Sequence, residues 1–185
     1  MSSHHIIREN QEPALVIMNT DTVPHDRVLE LLEWSPTVMV AESCLTTVLD
    51  WGIKVDVVIA PESKARELAL SLLHQFPVRI LSFQHEHEAL PTALYFLIAS
   101  KQKAVNVISG LQLPEFEKFD SLDISVFQNT LRWSFIRNGL YEKWLLSGSV
   151  LHILPAGDFI QTKTDGIVKI NRPFGFWIGE ELGSD

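Results

Sequence analysis

Val38 to Lys64 reads VMVAESCLTTVLDWGIKVDVVIAPESK. Two apolar, β-rich runs, VMVA and VVIA, each end in a short polar tip that carries one carboxylate, Glu42 and Glu62. Between them Ser43 is placed to cap a helix from Cys44 to Trp51, and Gly52 to close it. A strand, a helix and a second strand within 25 or so residues make a βαβ unit, whose strands run parallel. Open α/β sheets bind ligands outside the carboxyl ends of such strands. The two glutamates therefore mark the candidate site, and the pattern around them decides the fold.

The same alternation extends on both sides. Ala14–Met18 (ALVIM) reads as a buried strand, and Val28, Leu31 and Leu32 recur at helical spacing in His25–Trp34, which Pro36 stops. The strand that begins at Val55 is interrupted by Pro61. A helix opens at Ser63 or Lys64 and runs to about Gln75; Val78–Phe83 is a strand. QHEHEAL reads as a polar loop, Pro91 suits the first turn of the helix PTALYFLIASKQK, and Ala104–Ser109 is the fifth strand. From about residue 120 the pattern becomes short strands: Leu122–Phe127, Leu131–Ile136, Trp144–Leu146, Val150–Leu154, Ile160–Thr164, Ile167–Ile170 and Phe174–Ile178. Turn signals separate them: Arg137-Asn-Gly139, Ser147-Gly148, Pro155-Ala-Gly157, Thr164-Asp-Gly166 and Asn171-Arg-Pro173. The expected architecture is an α/β unit over residues 1–120, with a mainly parallel sheet and flanking helices. A carboxyl-terminal antiparallel β-sandwich or barrel follows over residues 121–185.

Composition narrows the function. The chain has 185 residues, 46% of them hydrophobic, enough for one sizeable core. A formal net charge of -8 argues against a nucleic-acid or anionic-membrane surface. No run approaches the roughly 20 apolar residues of a membrane span, and MSSHHIIRENQEP does not read as a signal peptide. The single cysteine, Cys44, allows no intramolecular disulfide and fits a cytoplasmic setting. Cys44 follows a strand at a helix start, where thiol pKa values fall, although a small buried residue suits the position as well. In His85-Glu86-His87-Glu88 the two histidines share a side of an extended chain, which makes two metal ligands without a third.

This order of parts resembles the thiamine pyrophosphokinase family over nearly the whole chain. The family's second strand ends in Cys/Ala-Asp-Gly-Ala, followed by a helix and Gly-x-x-Pro-Asp. Here those places hold Ala41-Glu42-Ser43-Cys44, LTTVLDW and Gly52-Ile-Lys-Val-Asp56. The family's Gly-Asp-x-Asp-Ser, whose aspartates hold magnesium and the ATP phosphates, becomes Ala60-Pro61-Glu62-Ser63. Its Asp-Gln-x-x-Thr-Asp-Phe/Leu-x-Lys-Ala becomes Gln84 to Ala93, with both aspartates gone and Thr92 at the lysine. Of its Gly-Ala-Thr-Gly-Gly-Arg only Ser109-Gly110 remains. In the second half, Ser149–Pro155, Thr164-Asp-Gly166-Ile167 and Arg172–Leu182 resemble family strands, and the family's Ser-Asn pair has no counterpart.

The resemblance implies catalytic roles for Glu62 and Glu42, with Glu62 as metal ligand. It implies nucleotide contacts from Glu42, Ser43, Glu62, Ser63, Ser109 and Gly110, and substrate-side contacts from Gln84, Glu88 and Thr92. Mg and ATP are the implied cofactors if the chain is active, and a small molecule the ligand. The family is homodimeric, and the aromatics Trp133, Phe135, Tyr141, Trp144, Phe174, Phe176 and Trp177 suit a dimer through the second half. Diphosphoryl transfer needs cations and carboxylates to neutralise charge, and most of that set is replaced here. The expectation is a thiamine pyrophosphokinase-like protein with lost or remodelled catalysis, acting in ligand binding or assembly. The alternative is an active ATP-dependent thiamine diphosphokinase, or related pyrophosphokinase, with substituted ligands.

Overall fold

The computed structural model describes residues 12–33, 36–72, 77–110, 113 and 115–182. Strands β1 (Ala14–Ile17), β2 (Val38–Ala41), β3 (Val57–Pro61), β4 (Arg79–Phe83) and β5 (Ala104–Ile108) alternate with helices α1 (His25–Leu32), α2 (Leu45–Asp50), α3 (Ala65–Ser71) and α4 (Ala89–Ala99). They form a parallel sheet in the order β5-β1-β2-β3-β4. β1 and β2 are buried at every position, as expected of parallel strands covered on both faces. Side-chain alternation sorts them: Leu15, Ile17, Val38, Val40 and Val58 meet α1, α2 and α3 on one face, while Val16, Met39 and Ile59 meet α4 on the other. In α4 the residues Ala93, Leu94 and Leu97 are buried against the sheet, while Tyr95 is 52% exposed.

Seven more strands follow: β6 (Asp123–Gln128), β7 (Leu131–Ile136), β8 (Leu140–Leu145), β9 (Val150–Leu154), β10 (Asp158–Gln161), β11 (Gly166–Asn171) and β12 (Phe176–Glu181). β6 pairs parallel with β5, Ala104 opposite Asp123 and Ile108 opposite Phe127. β7, β12, β9 and β10 then add antiparallel, making a single ten-stranded sheet. β8 and β11 form a separate antiparallel ribbon. It covers β9 and β12 through Tyr141, Leu145, Ile170, Leu151, Ile153, Phe176 and Ile178. The fold is thus a helix-flanked, mainly parallel sheet continued by an antiparallel β-rich part.

Several sequence expectations shift. β3 continues through Pro61, paired with Phe83, rather than stopping before it. QHEHEAL is not a loop throughout: Glu86–Glu88 is a 3-10 turn, and Ala89 and Leu90 already belong to α4. The continuation of α3 toward Gln75 lies outside the described residues. β8 begins earlier than the expected Trp144, β10 lies at 158–161 instead of 160–164, and β12 starts at Phe176. Phe174 and Gly175 stay outside β12, and the Phe135 ring fills the space beside Gly175, where a Cβ would lie 2.5 Å from it. Of the seven aromatics, Trp133, Tyr141, Phe176 and Trp177 are buried, and Trp144 and Phe174 are exposed.

Candidate functional site

β2 and β3 lie side by side, Ala41 opposite Ile59. Each runs into a 3-10 turn, Glu42–Cys44 and Glu62–Lys64, so the triplets Glu-Ser-Cys and Glu-Ser-Lys stand at neighbouring strand ends. The turn after β3 sends Lys64 back across to β2. Its Nζ lies 2.9 Å from both Oε1 and Oε2 of Glu42. Glu62 is exposed, and its Oε2 accepts a long 3.5 Å hydrogen bond from Gln84 Nε2 at the end of β4. Glu88 accepts from the backbone N–H groups of Gln84 and His85 at 3.1 and 3.0 Å, closing a capping box over the turn that leads into α4.

Those two N–H groups, His85 first, hold the Glu88 carboxyl below the usual carboxylate range. The depressed value means that the ionised cap supports the fold above the ordinary carboxylate pKa. The support is lost as pH falls through the lowered value. A carbonyl-detected NMR titration is therefore expected to place the Glu88 midpoint below that of an unstructured glutamate, with the Gln84 and His85 amides moving at the same pH. A midpoint at or above the unstructured value contradicts the cap.

The predicted site residues separate into two groups. Glu42, Glu62, Gln84 and Glu88 come together at the ends of β2, β3 and β4, with exposed Ser43 and Ser63 in the turns. Glu42 and Ser43 line a cleft with Ile59, Pro61, Phe83, Glu86 and Ala89. Thr92 sits in the first turn of α4, outside that lining. Ser109 and Gly110 lie instead at the end of β5, three strand spacings from β3, or about 14 Å. There Gly110 packs against the Asn19 and Thr22 side chains that follow β1; a Cβ on it would lie 3.1 Å from Thr22 Cγ2. Asp56, which matches the family aspartate, is at the opposite end of the sheet, where its Oδ2 accepts from the Val38 N–H at 2.9 Å. It ties β2 to β3 and takes no part in the rim.

Lys64, which the sequence places only at the start of a helix, is the side chain that completes this arrangement. The available signal was the repeated Glu-Ser-x at two adjacent strand ends. Cys44 is buried, and burial pushes its thiol up, so the small buried residue is the reading that holds. His85 and His87 stack face to face, ring centres 5.6 Å apart. Among the described residues no group of three or more His, Cys, Asp or Glu is placed to hold a metal.

Magnesium bound through carboxylates needs their lone pairs, in near-octahedral geometry. The donors here do not fit that demand. Both oxygens of Glu42 face an ammonium, Glu88 serves backbone amides, and Glu62 remains alone with an amide beside it. Space points the same way. The cleft holds about 50 Å³, against the roughly 300–1,000 Å³ of small-molecule pockets. Two larger spaces lie elsewhere. One of about 520 Å³ sits at the amino ends of the strands beside Asp56, Arg79 and Phe96. The other, of about 300 Å³, is mainly apolar and lies between Leu154-Pro155 and Phe174.

No protein-family model matches the sequence, and no curated protein matches it significantly. Solved structures do match the fold. Yeast thiamin pyrophosphokinase aligns with 96% of this chain and 88% of its own, at a TM-score of 0.67 and 9% identity. The Candida albicans enzyme covers 93% of this chain and 90% of its own, at a TM-score of 0.63 and 7% identity. Thiamine pyrophosphokinase from Bacillus subtilis covers 92% of this chain and all of its own, at a TM-score of 0.59 and 10% identity. Together they establish a shared architecture across both halves. No helix among the described residues is long and apolar enough to cross a membrane.

Proposed function

We propose that this chain is a divergent thiamine pyrophosphokinase-like protein in which diphosphoryl transfer has been lost or remodelled, and that it acts through ligand binding or assembly. The observation that carries this reading is the Lys64 ammonium set against both oxygens of Glu42. A carboxylate neutralised from within offers little to Mg-triphosphate, and removing even one preorganised electrostatic group commonly costs about a hundredfold in rate. The narrow cleft beside Pro61 supports the same reading.

The test combines turnover with ligand-induced stabilisation, since a ligand that binds only the folded state raises its melting temperature. With Mg-ATP and thiamine, no thiamine diphosphate or AMP above a no-protein control is expected. Thiamine, thiamine diphosphate, a pterin or ATP is expected to raise the Tm with EDTA present. Product formation that is lost in Glu62→Ala establishes the active-kinase alternative instead. No shift with any compound removes the ligand-binding role.

For assembly, the proposed partner is a second copy, meeting through the β-rich half. Trp144 and Ile167, directly opposite each other on the outer face of the ribbon, are 57% and 61% exposed, and Leu146, just past the end of β8, is 60% exposed. Neighbouring apolar side chains of this size left in water are a usual mark of an interaction surface. Sedimentation equilibrium is expected to give a dimer, and Trp144→Glu a monomer. A wild-type monomer at high concentration rules this out.

A further inference from the structure

We infer that Lys64 is a built-in counter-ion, its ammonium standing beside Glu42 where a divalent cation would otherwise be held, so that the rim at the ends of β2 and β3 operates without metal. The geometry is the first argument. Nζ is equidistant from Oε1 and Oε2, at 2.9 Å. It therefore straddles the carboxylate, the position a chelated cation takes, and does not merely touch one oxygen in passing. The second argument is placement. Lys64 is the third residue of its turn, the same place that buried Cys44 holds in the turn after β2. A lysine at that one position brings its charge to the neighbouring strand end; the two residues are separated by 22 positions in sequence.

The third argument is the state of the other acids. Glu88 is occupied by two backbone amides, and Glu62 faces Gln84, whose amide group supplies no charge. Binding a divalent ion at Glu42 would require displacing Lys64 or leaving two cations side by side. Displacing Lys64 gives up the pair, and leaving it in place sets a unit positive charge beside a divalent one, a repulsion that exceeds thermal energy even at the dielectric of water. The pair is half open to water, with side-chain exposures of 51% for Lys64 and 25% for Glu42. Its contribution to folding is accordingly small. Its consequence is for ion selectivity at the rim.

This inference is tested with Mn²⁺ alone, in the absence of nucleotide and thiamine, so its failure is separate from that of the proposed function. Free Mn²⁺ is followed by electron paramagnetic resonance on the full chain. Lys64→Met and, as a second variant, Lys64→Gln are expected to bind Mn²⁺ at least about tenfold more tightly than the wild type, because the repelling charge is gone. The gain is expected to vanish in Glu42→Gln/Lys64→Met. Circular dichroism checks that each variant is folded, as the exposed position predicts. Lys54→Met is the control for net charge, since Lys54 faces Asp56 at 3.7 Å at the far end of the sheet. Equal Mn²⁺ binding by wild type and both Lys64 variants overturns the inference. So does a gain that survives Glu42→Gln, or one of the same size in Lys54→Met.

Discussion

Gly139→Ala is expected to lower stability by about 3 kcal/mol or more, among the largest effects of a single methyl group. Gly139 closes the turn between β7 and β8 with φ of +69°. An L-residue held in the left-handed region costs roughly 1–2 kcal/mol. The rest comes from packing. Gly139 accepts a 2.8 Å hydrogen bond from the Arg172 N–H. A Cβ there would overlap the Arg172 carbonyl oxygen and lie 3.1 Å from the Phe174 carbonyl oxygen. Those are backbone atoms, so relief requires moving the segment that joins β11 to β12. For a chain of this length the Tm should fall by about 6–12 °C. Gly148→Ala is the internal comparison: φ is +84°, but nothing lies within 4 Å of the added carbon. It should show the conformational strain alone. Thermal unfolding that gives the two variants equal losses contradicts the close approach of the two turns.

Leu94→Ala is expected to cost about 2–5 kcal/mol, the range for a leucine removed from a core that cannot collapse around the cavity. Leu94 is fully buried in α4 and belongs to the cluster that includes Met39, Ile59 and Phe83 beneath the rim cleft. The surrounding strands are held by ladder hydrogen bonds on both sides and have little freedom to close the void. Tyr95→Ala, one position on and 52% exposed, loses only the ring contact with Phe119 at 5.1 Å and should cost no more than about 1.5 kcal/mol. Urea unfolding of both variants measures the difference. Similar midpoints for the two would mean that α4 does not lie on the sheet with Leu94 inward.

The two glycine positions show how far local sequence reaches. Arg137-Asn-Gly139, Ser147-Gly148 and Pro155-Ala-Gly157 read as turns on local chemistry alone, and all three glycines have positive φ. Trp51-Gly52 ends its helix in the same way, at φ +72°. The alternation of strands and helices through Ile108 was equally legible, because burial on both faces leaves continuous apolar runs. The candidate glutamates were found for the same reason: they are the polar ends of such runs. The shifted strands of the second half were harder. Phe174 and Ile160 are apolar residues near turns, and whether a turn residue joins the ladder depends on a partner strand that local sequence does not name.

Local chemistry along the chain is thus enough to set the conformations of its segments: which extend, which coil, and where the backbone must turn. Those choices rest on φ/ψ preferences and on burial patterns within a few residues, and both are written along the chain. That β6 lies parallel beside β5, joining two dissimilar halves in one sheet, emerges from the assembled fold. So does the meeting of the Lys64 ammonium with Glu42, while Ser109 and Gly110 stay with β1. Strand order and register set those meetings, and they are fixed by the best joint burial of the whole core rather than by any one segment.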